Sequence, residues 1–136
     1  MSELVAKGIE LYRKYRPTIF GVESNQFQEL LCDEFDRQFL ASARTKERGG
    51  VSPPVVSVYP IKNTLNKGIR IRRLDSYLAS RRLRFNSLSP SCRLLVEQLR
   101  SFPVGSHDDG PDALEMAVRM IEIYGTDIAL ALPTPS

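Results

Sequence analysis

Thr18-Ile19-Phe20-Gly21-Val22-Glu23 is a short apolar run closed by an acid, and the residues behind it change period at once. Thr18 to Val22 reads as a buried strand, with Glu23 at its carboxyl end. Phe27, Leu30, Leu31, Phe35 and Phe39 then recur at helical spacing and give the next segment one apolar stripe. A polar loop runs from Arg44 through Gly49-Gly50 to Pro53-Pro54, with a length and composition that suggest mobility. Val55-Val56-Ser57-Val58-Tyr59 supplies a second strand, short and β-branched. Strand, helix, strand at this spacing predicts parallel pairing through a right-handed crossover. In such sheets the functional crevice lies at the carboxyl ends of the strands, where Glu23 stands.

Helices flank this unit. Val5, Ile9 and Tyr12 form an opening amphipathic helix that stops at Arg16-Pro17. Ile71, Leu74 and Leu78 place a third helix after the second strand. Leu95, Leu99 and Phe102 mark a fourth, stopped by Pro103. Leu114, Ala117, Val118, Ile121 and Tyr124 mark the last, ended by Gly125. The fold class is α/β, with a short parallel sheet flanked by helices. One domain is expected over residues 1–130, followed by a frayed tail at 131–136.

The 136 residues suffice for one core, and 42% hydrophobic with 26% charged residues is ordinary for a globular chain. No apolar run approaches membrane-spanning length and no signal peptide opens the chain. Cys32 and Cys92 form no CxxC pair, so free thiols in a reducing cytoplasm are expected. With His107 they lack zinc-ligand spacing. A single histidine makes no serine triad, and there is no GxxxxGK phosphate loop. The net charge of +3 hides an asymmetry. Lys62, Lys67, Arg70, Arg72, Arg73, Arg81, Arg82 and Arg84 are accompanied only by Asp75, whereas Glu23 to Asp36 holds acids and no base. A local basic excess of this size makes a polyanion such as nucleic acid a reasonable partner.

A second acidic motif is HDDGPDALEMA, His107 to Ala117. Asp108, Asp109 and Asp112 fall where a loop turns into the last helix, with Pro111 suited to the first helical position. One aspartate there would be a cap, favoured by the helix dipole. Three acids and a histidine within six residues exceed what capping needs. Clustered carboxylates attract a hard divalent cation. His107 reads as a loop or orienting residue.

Taken together, GVESNQFQELL (Gly21–Leu31) and HDDGPDALEMA resemble the carboxy-terminal nuclease domain of the large terminase subunit of tailed bacteriophages. Tyr59-Pro60-Ile61-Lys62-Asn63, Lys67, Arg70-Ile71, Leu83-Arg84-Phe85, Leu95–Leu99 and Phe102-Pro103 agree with it, so the resemblance runs from about Tyr15 to Ala117. It implies an RNase H-like fold that cuts concatemeric phage DNA during packaging. Glu23 matches the family's strand-end glutamate and Asp109 its late aspartate, with Asp112 and Asp108 beside it. These four would hold paired Mg2+ or Mn2+ ions, Glu23, Asp109 and Asp112 being the catalytic set. Two metals about 3.5–4 Å apart would activate water and stabilise the leaving oxygen. Lys62, Lys67, Arg70, Arg72 and Arg73 would lie near the phosphates of double-stranded DNA, positioning it rather than reading its sequence. The resemblance also implies the small terminase subunit and the portal as partners, inside a bacterial host cell.

The family's domain opens with three antiparallel strands, the first bearing a catalytic aspartate, and this chain is expected to lack that group. A partial RNase H-like fold is then expected, with an incomplete metal box. The strand bearing Glu23 would have a bare edge that invites a second copy or a partner chain. Three readings follow in order. The first is a terminase-derived nuclease domain truncated at its amino end and weak or inactive alone. The second is a non-catalytic DNA-binding or assembly module. The third is an active nuclease using Glu23, Asp109 and Asp112.

Overall fold

A computed structural model of the chain describes residues 2–24, 29–46 and 58–131. Along it run α1 (Glu3–Tyr15), β1 (Phe20–Glu23), α2 (Glu29–Lys46), β2 (Val58–Ile61), α3 (Lys67–Arg72), α4 (Leu74–Ala79), α5 (Pro90–Ser101) and α6 (Asp109–Ala131). Two compact units divide the chain, one of Met1–Asn63 with Thr126–Ser136 and the other of Thr64–Gly125, so the last residues of α6 are counted with the first. No helix among the described residues is long and apolar enough to cross a membrane. Cys32 and Cys92 are not joined by a disulfide.

In the first unit, Ser2 caps α1 by accepting a hydrogen bond from the Val5 amide at 3.3 Å. Arg16 ends it in the left-handed region at φ 46°, its N–H donating to the Tyr12 carbonyl. Pro17 then disfavours further helix. Val5, Gly8, Ile9 and Tyr12 are the buried residues of α1, the spacing of one helical face. Gly8 is required there by packing: a Cβ would lie 2.5 Å from Cε1 and Cζ of Phe35 on α2. Val5, Ile9 and Phe35 form the buried core, with Phe20, Val22, Leu31, Phe39 and Val58 packed against it.

β1 and β2 pair in parallel, with Phe20 opposite Val58 and Glu23 opposite Ile61. The Ser24 amide continues the ladder by donating to the Ile61 carbonyl at 2.7 Å. Backbone groups alternate along a strand, so Tyr59 and Ile61 present theirs to β1, whereas Pro60 turns its ring nitrogen the other way. Its missing donor therefore costs no bond in this ladder, the position a strand proline requires. That tolerance explains why β2 reaches Ile61, beyond the expected end at Tyr59. Val55 to Ser57 lie outside the described residues. β1 likewise begins two residues later than expected, at Phe20, and includes Glu23. α2 extends to Lys46, past the expected loop start at Arg44, through the helix-forming Ala41, Ala43 and Arg44. The remainder of that loop and the expected helical residue Phe27 lie outside the described residues.

In the second unit, the expected third helix is two short ones. The Arg73 amide donates to the Arg70 carbonyl at 3.1 Å, a tightened turn that separates α3 from α4. Asn66 caps α3 by accepting from the Gly68 amide at 2.7 Å. Ile71 and Leu74 are buried across this junction. Ser89 caps α5 and Pro90 occupies its first turn. α6 starts earlier than expected, at Asp109, because the Asp112 amide already donates to the Asp108 carbonyl at 3.0 Å. Pro111 is thus the third helical residue, still in the turn where a missing N–H costs nothing. Gly125 does not end α6, which continues to Ala131, the last described residue. A capping glycine takes positive φ, and no described glycine has it. Within a helix, glycine costs only about 1 kcal/mol against alanine. Leu132 to Ser136, the rest of the expected tail, lie outside the described residues.

Candidate functional site

The start of α6 is positioned by α5. The Gly110 amide, free of any helical partner in the first turn, donates to Oε1 of Gln98 at 3.1 Å. A Cβ on Gly110 would collide with that oxygen and come within 3.0 Å of Leu95 Cδ1. Glycine at 110 therefore lets the acidic turn sit directly against α5.

Asp108, Asp109 and Asp112 do converge, and what they converge on is Lys67, the first residue of α3. Its Nζ lies 2.7 Å from Asp108 Oδ1, 3.3 Å from Asp109 Oδ1 and 3.6 Å from Asp112 Oδ2. The hydrogen bond to Asp108 is the main cause that holds the Lys67 ammonium above the ordinary lysine range. Partial burial opposes it, while the hydrogen bond to Asp109 and the charges of Asp108 and Asp112 add to it. One turn along α3, Arg70 donates from Nη1 to Asp112 Oδ1 at 2.5 Å and to Glu115 Oε2 at 3.2 Å. Its Nε donates to the Leu65 carbonyl at 3.2 Å. Burial works against the Arg70 charge, but its bonds to Asp112 and Glu115 outweigh burial and raise its pKa. Arg119 Nη2 closes the far end at 3.1 Å from Glu115 Oε2.

The cluster grades from wet to dry. The Asp109 side chain is 94% exposed, whereas those of Arg70 and Glu115 are 5% and 3% exposed. Its inner part is a buried ion-pair network joining α3 to α6, and its outer part is a screened surface arrangement.

The other expected site residues are placed as follows. Glu23 is half-buried in the first unit, where Asn63 Nδ2 donates to its Oε1 at 2.7 Å. Lys62 is exposed in the same unit, and Arg72 and Arg73 are exposed in the second. Lys67 and Arg70, expected to face DNA phosphates, face carboxylates of their own chain. Glu115 and Arg119 escaped the sequence reading. Their signal was available, since Asp112, Glu115 and Arg119 follow at spacings of three and four and so share one helix face. Asn63 and Gln98 fall within stretches that carry the family resemblance, but no role was read for either.

Magnesium or manganese needs several oxygens turned toward one shared point. Here that point at the α6 start is taken by the Lys67 ammonium, and two of the three aspartates are already bonded to it. Among the described residues no group of three or more His, Cys, Asp or Glu is arranged to hold a metal ion. The arrangement as it stands does not fit the ion that the sequence pattern implied.

An opposite salt response is the expected mark of this internal cation. The parent should lose a little stability as ionic strength rises, because its pairs are screened. Lys67→Met should be less stable at low salt by about 0.2–1 kcal/mol, the usual range for partly exposed pairs. That variant should regain stability as salt rises, because its three aspartates then repel one another less. Thermal melts at low and high sodium chloride read both slopes; parallel slopes would count against the cluster.

Comparison with protein-family models, curated proteins and solved structures found no match to the chain.

Proposed function

We propose that this chain is a protein of the phage terminase nuclease kind, RNase H-like in ancestry. It engages double-stranded DNA in genome packaging and is weak or inactive by itself as a metal-dependent endonuclease. The observation that carries this reading is the placement of Glu23. It is the last residue of β1 in a parallel pair, the end at which α/β proteins hold functional groups, and Asn63 fixes its carboxylate. The likeness of Gly21–Leu31 and His107–Ala117 to the family's acidic motifs gives that position its chemical meaning.

Weakness as a nuclease is supported by Lys67. While its ammonium sits among Asp108, Asp109 and Asp112, no hydrolytic step is assigned to them. The same observation favours a second reading, a non-catalytic DNA-binding or assembly module that works with a second copy or with other packaging proteins.

Plasmid DNA incubated with manganese and the parent, Glu23→Ala or Asp109→Ala chain tests the proposal. The parent is expected to bind DNA with an affinity that falls steeply with salt, and to leave the plasmid supercoiled or nick it slowly. Rapid cleavage lost in both variants would replace the proposal with an active nuclease. Absence of DNA binding would overturn the nuclease-kind reading and the module reading alike.

A further inference from the structure

Beyond Arg70 the basic segment changes character. Arg72, Arg73, Arg81, Arg82 and Arg84 are all exposed. None of them enters an ion pair within 4.0 Å among the described residues. Lys67 and Arg70 are already paired with Asp108, Asp109, Asp112 and Glu115, and Asp75 is the single acid between Arg72 and Arg84.

Local geometry gathers part of this charge into a row. Arg73 keeps right-handed helical angles, φ −62° and ψ −21°, between α3 and α4. Residues four apart are therefore neighbours here, which sets Arg73 beside Tyr77 and Arg72 beside Ser76. After α4, Arg81 takes φ 57°, a left-handed value uncommon for a side chain of this size, and the chain reverses. The Arg82 amide then donates back to the Tyr77 carbonyl at 2.9 Å. Its guanidinium lies over the Tyr77 ring, 4.2 Å from the centroid, and its Nε donates to Ser80 Oγ at 3.0 Å. Ring and hydroxyl together fix the guanidinium plane, so less entropy is lost when that fork meets an anion.

We propose that the face formed by Arg72, Arg73, Tyr77 and Arg82 binds the phosphodiester backbone of double-stranded DNA. Lys67 and Arg70 are not part of it. The inference rests on the proposed DNA-directed function for its ligand, but not on cleavage or on any metal. Arginine forks held by stacking suit phosphate oxygens, which two-pronged donors recognise geometrically. Phosphate-directed cations grouped on one short segment would give affinity without sequence preference.

Fluorescence anisotropy with a short labelled duplex, in EDTA to exclude cleavage, tests the face. The triple variant Arg72→Gln/Arg73→Gln/Arg82→Gln is expected to bind at least about tenfold more weakly at low salt. Its slope of log affinity against log salt should be shallower by about 2–3, since each phosphate contact contributes roughly 0.9. Arg93→Gln/Arg100→Gln on α5, a charge-removing change outside the Arg72–Arg73–Arg82 group, should bind within about twofold of the parent. Because the exchanged side chains are exposed, melting temperatures should stay near the parent's, which separates lost contacts from lost fold. Binding of the triple variant with parental affinity and slope would overturn the proposal. So would an equal loss in the α5 variant, or displacement of the duplex by polyglutamate as readily as by unlabelled DNA. A chain that binds yet never cuts would leave this face standing while telling against any nuclease activity.

Discussion

Exchanging Arg70 for methionine is expected to lower the unfolding free energy by about 3–5 kcal/mol, the cost of breaking a buried ion pair from one side. Only 4% of Arg70 is exposed, and Glu115 opposite it is 3% exposed. Methionine preserves length and apolar stem, so the loss is mainly electrostatic. Glu115 would keep Arg119 at 3.1 Å, and Asp112 would keep, among the described residues, only Lys67 at 3.6 Å. Two carboxylates held out of water would then share cations that lie at the edge of the cluster. The Leu65 carbonyl would also lose its donor, a further desolvation cost of about 1–3 kcal/mol if water cannot reach it. The companion variant decides the mechanism. Arg70→Met/Glu115→Leu removes both charges and should recover much of the loss, because an apolar pair of similar volume often replaces a buried ion pair without penalty. Urea melts of the two variants, read as a double-mutant cycle with Glu115→Leu alone, give the coupling directly. A single-variant loss below about 1 kcal/mol would place Arg70 in the exposed class of ion pairs instead.

That network also marks where the sequence was readable and where it was not. Apolar periodicity carried α1 and α5, while the caps Ser2 and Ser89 that start them, visible as residue types, were not read from it. The parallel strand pair followed from strand–helix–strand spacing, although Pro60 hid two residues of β2. The break between α3 and α4 had no glycine or proline to signal it, because it consists of one shortened backbone bond at Arg73. At the site, Asp108, Asp109 and Asp112 were legible as a cluster and the Lys67–Arg73 segment as a basic one. Each cluster suggested an external partner, a metal for one and DNA for the other. The two lie about forty positions apart, and Lys67 and Arg70 meet the aspartates directly. Opposite charges within one chain satisfy each other at no association cost. A folded chain therefore offers to ligands only the charge left over, here the arginines beyond Arg70. Glu115 was hidden for a related reason, since an acid among Leu114, Met116 and Val118 looks like an exposed interruption until its arginines are known.

In the first unit the largest expected effect comes from Phe35→Ala, about 3–5 kcal/mol for a buried phenylalanine. Phe35 is 2% exposed, with ring centroids 5.3 Å from Phe20 and 6.2 Å from Phe39. It joins α2 to β1 and, through its contact with Gly8, to α1. Truncation removes apolar burial and two ring contacts, each worth about 0.5–1.5 kcal/mol beyond area. The fully buried cluster around it is small among the described residues, Val5 and Ile9, so the gap is bordered mainly by the partly buried Phe20, Val22, Leu31, Phe39 and Val58. The reciprocal change tests the same contact from the other side. Gly8→Ala would place a methyl group 2.5 Å from the Phe35 ring and should cost about 1–3 kcal/mol by overpacking. An exposed helix position would instead gain roughly 1 kcal/mol from that substitution. With Phe35 already truncated, the methyl group keeps only an ordinary contact with Phe20 Cζ at 3.4 Å, and Gly8→Ala should become neutral or stabilising. Denaturant melts of the two single variants and the double variant should therefore show the double variant more stable than additivity allows. Simple additivity would mean that the close approach of α1 to α2 does not constrain residue 8.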